Sequence, residues 1–286
     1  MTGRLMLCGT PIGNLEDVTL RLLRVLGEAD LIACEDPRRA RKLLSYHSIR
    51  APELVVYNEG NERRRAPELA ERIRRGATVA LISSAGMPAI ADPGYRLVRA
   101  CIGRGLPVEV VPGPTAAVSA VVVSGLPPDR FVFEGWLPRK GAERRRRIEA
   151  LCDEVRTIVF YVSPHRAAQA LQDLAELLGE RPAALVRELT KVHEEVVRST
   201  LSDLAERFKQ EPPRGEMVLV VGGAARSDAP LDRHELARRA QALMRAGTER
   251  KQALTTVARE SGVPRREVFD ALLEGPGEEE NPSPAG

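Results

Sequence analysis

Aromatic residues are scarce in this chain: one tryptophan, four tyrosines and five phenylalanines, 3% of 286 residues. An interior built from so few rings has to be aliphatic, and the 43% of residues that are hydrophobic suffice to fill it. The same scarcity argues against a protein that holds single strands chiefly by stacking bases along a row of rings, leaving charge and backbone to carry more of any such contact. Cysteine is equally sparse. Cys8, Cys34, Cys101 and Cys152 are far apart, and no pair has metal-ligand spacing or suggests a disulfide framework. They read as small apolar side chains in a reducing compartment. The four histidines include no i, i+4 pair, so no metal site is expected. No apolar run approaches the ~18 residues of a membrane span, and the opening MTGRLMLCG has no apolar signal core. A cytoplasmic protein with no membrane contact is expected. The charge balance, 43 basic against 40 acidic residues, excludes no partner; its distribution says more than its sum.

The length suits two domains and an appendage. Short apolar runs at 5–8, 31–34, 54–57, 79–82 and 108–111 alternate with helical patterns near 19–27, 37–45, 61–75, 94–103 and 115–124. That βαβ rhythm predicts a mostly parallel sheet with helices on its faces, so residues 1–126 form a first α/β domain. Gly125-Leu126-Pro127-Pro128-Asp129 breaks the rhythm. Strands near 131–135, 156–162, 183–187, 195–200 and 216–222 follow, separated by helices near 142–152, 165–178 and 201–209. An irregular return between Arg187 and Glu195 makes this second sheet, in a domain spanning 127–224, a mixed one. Residues 223–232 read as a polar linker and 233–274 as a helical module. Within the module, 253–260 and 264–273 flank a tight turn in the outline of a helix-turn-helix. Residues 228–274 carry a net charge of only +1, poor for reading duplex DNA, so no DNA partner is expected. The tail, 275–286, is disordered by composition.

Three loops of small residues, glycine and proline end first-domain strands: Thr10 to Asn14, Ser83 to Gly94, and Pro112 to Ala116. Glycines let backbone approach a ligand closely, and prolines reduce the entropy lost on binding. None of the loops matches a dinucleotide fingerprint or a P-loop. Three at one sheet edge nevertheless point to a ligand site beyond the carboxyl ends of the strands. Glu35-Asp36-Pro37-Arg38-Arg39 is a fourth cluster. It either positions a hydroxyl or phosphate or simply opens a helix with its acids on the dipole.

Eight segments in order carry a resemblance: TPIGNLED (10–17), ACEDPRR (33–39), SSAGMPAIADPGYRLV (83–98), VPGPTAA (111–117), FEGWLPRKG (133–141), YVSPHR (161–166), RELTKVHEE (187–195) and GEMVLVVGG (215–223). Together they resemble the ribosomal RNA small-subunit methyltransferase I family of the tetrapyrrole methylase superfamily. The resemblance implies a two-domain α/β tetrapyrrole methylase-like fold with a C-terminal helical module, usually as a homodimer. It also implies S-adenosylmethionine (S-adenosyl-L-methionine) in the cleft and 2′-O-methylation of a cytidine in the decoding region of 16S rRNA in the small ribosomal subunit. Carried over by position, the cofactor would touch Pro11, Ser84, Ala85, Gly86, Ile90, Thr115, Ala116, Val162, Leu189 and Met217. The chain departs from the family pattern at Pro37, at Ser84 (where an aspartate is usual) and at Val162 (where a glutamate is usual).

Aligning a ribose oxygen with a sulfonium methyl is itself worth roughly 7–11 kcal/mol, and a base that takes the hydroxyl proton adds about 10²–10⁴-fold. Glu35, Asp36, Glu188 and Lys191 are the candidates, Lys191 only if its surroundings depress its pKa. His165 reads as a helix-start residue and His193 as somewhat closer to substrate. RNA phosphates are expected on Arg139, Lys140, Arg144, Arg145, Arg146 and Arg147. Two other functions fit parts of the pattern. One is methylation of a tetrapyrrole or other small molecule, which needs neither the basic run nor the helical module. The other is a ligand-sensing transcription factor, against which the weak charge of the module argues.

Overall fold

The computed structural model describes residues 3–139, 141–211, 213–225, 233–261 and 263–274. Lys140, most of the expected linker and the expected disordered tail lie outside them. The chain divides into two compact units, Met1–Ala224 and Ala225–Gly286.

The first unit contains two five-stranded sheets. In the first, β1 (Arg4–Cys8), β2 (Leu31–Cys34), β3 (Glu53–Val56), β4 (Thr78–Ile82) and β5 (Val108–Val111) are all parallel, in the order β3-β2-β4-β1-β5. Alternate residues serve opposite faces. Leu5, Leu31, Ala33, Val79 and Leu81 pack with α3 (Glu62–Arg74) and α4 (Tyr95–Ile102). Met6, Cys8, Ile32, Cys34, Ala80 and Ile82 pack with α1 (Leu20–Glu28) and α2 (Pro37–Tyr46). Strands buried on both faces are the reason these runs are uniformly apolar. Cys8, Cys34 and Cys101 are buried here, and burial pushes their thiols up to about 12, 11 and 11.

The second sheet joins β6 (Phe131–Trp136), β7 (Thr157–Val162), β8 (Pro182–Arg187), β9 (Glu195–Thr200) and β10 (Met217–Val221) in the order β6-β7-β10-β8-β9. Only β6 and β7 run parallel; the other pairs are antiparallel, so the sheet is mixed as the return at 188–194 predicts. One face packs on α6 (Gly141–Glu149), α7 (Ala167–Leu178) and α8 (Leu201–Gln210). The opposite face, with Val159, Val186, Val218 and Val220, is covered by α5 (Ala116–Ser124). This helix ends the first run of chain yet packs on the second sheet. Its carboxyl end is held by Arg198 of β9, whose guanidinium donates to the carbonyls of Val123 and Ser124.

In the second unit, α9 (Arg233–Arg245), α10 (Arg250–Ser261) and α11 (Arg265–Glu274) close on a core of Leu236, Ala240, Leu254, Val257 and Val268. α10 and α11 occupy the stretches where helices at 253–260 and 264–273 are expected; Gly262 between them lies outside the described residues. Among the described residues no helix is long and apolar enough to cross a membrane.

Candidate active site

The three glycine- and proline-rich loops form one cradle. Thr10 and Gly86 exchange backbone hydrogen bonds (2.9 and 3.1 Å), and the Ser83 hydroxyl donates to the carbonyl of Gly86. The first and third loops touch backbone to backbone. A Cβ on Gly113 would lie 2.7 Å from the Gly9 carbonyl oxygen, and one on Gly9 would lie 2.8 Å from the Gly113 Cα. Only glycine fits at either position, which locates the close approach these loops were expected to make. Gly13 in turn abuts the β8–β9 connection, and the Asn14 N–H donates to the Thr190 hydroxyl (2.9 Å).

Above the cradle is a cavity of about 220 Å³, floored by Ile12, Ala116, Val186, Leu189, Met217 and Val218. Ser84, Ala85, Gly86, Ile90 and Thr115 form part of its wall. Eight of the ten residues carried over for a cofactor therefore line one space. The other two stand beside it. Pro11 lines an adjoining cavity that shares Ser84 and Ala85. Val162 is buried and borders a second adjoining cavity that shares Asp92, Trp136 and Tyr161. Thr115 is the N-cap of α5, its hydroxyl accepting from the Val118 N–H, so the helix N-terminus is directed at the cavity wall.

The acid and base candidates separate clearly. Asp36 caps α2, accepting from the Arg38 N–H at 2.8 Å and from its guanidinium, and these bonds hold its carboxyl below the ordinary range. Glu188 accepts from the Glu216 N–H (2.8 Å) and from Lys191 (3.0 Å), which lowers its pKa and fixes a turn where its own φ is +52°. Burial tends to lower the Lys191 ammonium, but Glu216 and Glu188 outweigh it, and the net shift is upward. The condition on which Lys191 was a candidate base, a depressed pKa, is not met: Lys191 stays a cation at neutral pH. His193 and His165 are exposed, and neither lines these cavities. Glu35 faces the site and accepts from the Ser84 hydroxyl at 2.6 Å. A carboxylate therefore stands beside position 84 although its own acid is missing.

Asp92 is the residue sequence reasoning passed over. It lines both the 220 Å³ cavity and the one bordered by Val162. Burial, then repulsion from Glu35, raises its carboxyl to about 6, partly offset by the Ser83 hydroxyl. Its only sequence signal was membership of the Ser83 to Gly94 loop; the structure adds that this loop has unusual backbone, with φ of +69° at Ala89, +60° at Ala91 and +153° at Gly94.

Residues 4–205 match the family model for tetrapyrrole (corrin/porphyrin) methylases. The chain belongs to the tetrapyrrole methylase family. Within it, the chain is 46% identical over 276 residues to the ribosomal RNA small subunit methyltransferase I of Mycobacterium tuberculosis, covering 96% of this chain and 95% of that one. The protein of the same name from Thermotoga maritima is also 46% identical, over 221 residues, 77% of this chain and 99% of that one. These relatives assign it to the ribosomal RNA small subunit methyltransferase I branch. A crystal structure of the uroporphyrin-III C-methyltransferase of Thermus thermophilus, complexed with S-adenyl homocysteine, shares the fold. Its TM-score is 0.55 and its identity 22%, over 78% of this chain and 99% of that one.

In this methylase the basic run on α6 is largely spent. Arg144 is 8% exposed and bonded to Asp173 of α7 at 2.5 Å, so it ties two helices instead of meeting phosphate as expected. Arg145 pairs with Glu149 and Glu176, and Arg147 with Glu134. Lys140 lies outside the described residues. Among the described residues Arg39, Arg139, Arg146 and Arg166 make no salt bridge, and three of these four border the cavities: Arg39 the 220 Å³ one above the cradle, Arg139 and Arg166 the one beside it.

Proposed function

We propose that this protein is a cytoplasmic, homodimeric enzyme that transfers a methyl group from S-adenosylmethionine to the 2′-oxygen of a cytidine in the decoding region of 16S rRNA, acting on the small ribosomal subunit. The observation that carries this reading is the cavity where three backbone loops meet an apolar floor, with Arg39 at its border and Arg139 and Arg166 at the adjoining cavity, none of them in a salt bridge. The residues fit the cofactor. Aliphatic walls suit a purine, exposed loop backbone suits its polar edges, and a sulfonium cation is favoured near Glu35, Asp92 and Glu216. Ser84 to Gly86, Ile90, Thr115, Ala116, Leu189 and Met217 would hold it. S-adenosylmethionine supplies an electrophilic methyl on a positively charged sulfur.

The chain's own contribution is position, dryness and one proton acceptor. The cradle loops are cross-bonded, so little reorganisation accompanies binding. Asp92 is the proton acceptor in this reading, since Asp36 and Glu188 are held by hydrogen bonds and Lys191 is protonated. A carboxyl poised near 6 is mostly ionised at pH 7 yet basic enough to take the 2′-hydroxyl proton at its Oδ as the oxygen attacks. Glu35 acts through Asp92, keeping its affinity for that proton high. Homodimer formation is supported by α5, which carries no charged residue and leaves Val118 and Val122, one turn apart, 49% and 72% exposed. Small subunits purified from cells lacking the modification, incubated with labelled S-adenosylmethionine and digested to nucleosides, test the reading. Label is expected in 2′-O-methylcytidine. Label only on an added porphyrin-like acceptor would transfer the assignment to small-molecule methylation.

A further inference from the structure

Trp136 is the chain's only tryptophan, and in a protein so poor in rings its position is informative. It is 55% exposed and borders both the cavity above the cradle and the neighbouring one that holds Asp92, Arg139 and Arg166. A β-bulge puts it there. Phe133 pairs with Val159, but Gly135 pairs with Phe160 and Trp136 with Tyr161, so Glu134 is an extra residue and Gly135 takes φ +64°. Side chains alternate along a strand, so without the extra residue position 136 would face the helices α6 to α8. With it, Trp136 shares the cleft side with Phe133 and Tyr161. Tyr161 lies 5.3 Å from the tryptophan ring at 59° and is braced by Phe133 at 5.0 Å and 73°. One edge of the indole is thus supported while the rest faces solvent beside two cations without salt-bridge partners.

A large half-exposed ring, braced from behind and flanked by unpaired guanidinium groups, suits a nucleobase whose neighbouring phosphates need neutralising. An enzyme acting on one nucleotide must take it out of its stack, and a replacement stacking partner offsets part of that cost. One ring suffices for one base. We propose that Trp136 is the stacking platform for the base of the target nucleotide, with Arg139 and Arg166 holding the phosphates on either side. The proposal rests on the RNA-methylating reading above and adds the subsite that presents the ribose to Asp92.

Because Trp136 is unique, its fluorescence reports the contact directly, without turnover. A short single-stranded RNA containing the target cytidine is expected to quench it, and the same strand with an abasic site there to quench it far less. Trp136→Ala is expected to lower kcat/KM on small subunits roughly 10- to 100-fold, the range of one lost base–ring stack. Trp136→Phe is expected to stay within about threefold of the wild type, because it keeps a stacking face. Both variants should bind S-adenosylhomocysteine and unfold thermally like the wild type. Equal quenching by the two strands, wild-type kinetics in Trp136→Ala, or cofactor-product affinity lost in step with activity would each overturn the proposal. Failure of the unaltered enzyme to label ribose would instead overturn the RNA-methylating reading, and the quenching comparison would still distinguish the two failures.

Discussion

If Asp92 takes the ribose proton, the pH dependence of the chemical step is set by a displaced carboxyl. Burial and the Glu35 charge hold it at about 6. Such a group is about nine-tenths ionised at pH 7 and about one-tenth at pH 5, so the single-turnover rate should fall about tenfold over that interval. An aspartate at its ordinary value of about 3.9 would remain roughly nine-tenths ionised at pH 5 and give an almost flat profile. Asp92→Asn removes the acceptor and should cost about 10²–10⁴-fold in rate while leaving S-adenosylhomocysteine affinity in place. Glu35→Gln removes the repulsion but not the burial. The pKa of Asp92 should then drop, and the acid limb should move to lower pH without disappearing. The assay is single-turnover transfer to purified small subunits between pH 5 and 8 at constant ionic strength, with circular dichroism confirming a folded enzyme at each pH. A flat profile, or an Asp92→Asn enzyme within about threefold of wild type, would refute the assignment of this base.

Other outcomes follow from the same geometry. Gly113→Ala drives a methyl to within 2.7 Å of the Gly9 carbonyl, so the two loops must part; about 1–3 kcal/mol of stability and roughly tenfold in cofactor affinity should be lost, read by thermal unfolding and calorimetry. Arg144→Ala breaks a largely buried pair with Asp173 and should cost about 2–4 kcal/mol, whereas Arg146→Ala should leave unfolding unchanged. Glu188→Gln weakens the tie to the Glu216 N–H and Lys191 and should cost about 1 kcal/mol near neutrality. Because this carboxyl is depressed in the folded state, its stabilisation is present above the ordinary glutamate range and disappears as pH falls through the folded value. The deficit of the variant should therefore shrink in acid, as denaturant titrations at pH 7 and pH 3 would register.

The inner strands were legible in the sequence because burial on both faces leaves short apolar runs such as Leu31–Cys34 and Met217–Val221, and the 188–194 return marks where parallel pairing ends. The cradle was legible because close backbone approach demands small residues, and Gly9 and Gly113 meet as that logic requires. Three features were hidden. A charge run reads as solvated surface, and nothing in residues 144–147 says that Arg144 is drawn inward by Asp173, 29 positions away. Asp92 sits in a loop whose shape depends on φ values that its neighbours Ala89 and Ala91 do not advertise. The displacement of Trp136 onto the cleft side arises from one unpaired residue, and a shift of pairing by one leaves no trace in hydrophobic alternation.

Titration calorimetry with S-adenosylhomocysteine, on the wild-type protein and on Ala116→Phe, tests the central claim most directly. The phenylalanine ring fills the cavity at the start of α5 while leaving the outer surface unchanged. One site per chain is expected in the wild type and none in the folded variant. Undiminished binding by Ala116→Phe, or none by the wild type, would contradict the assignment of this cavity to the methyl donor.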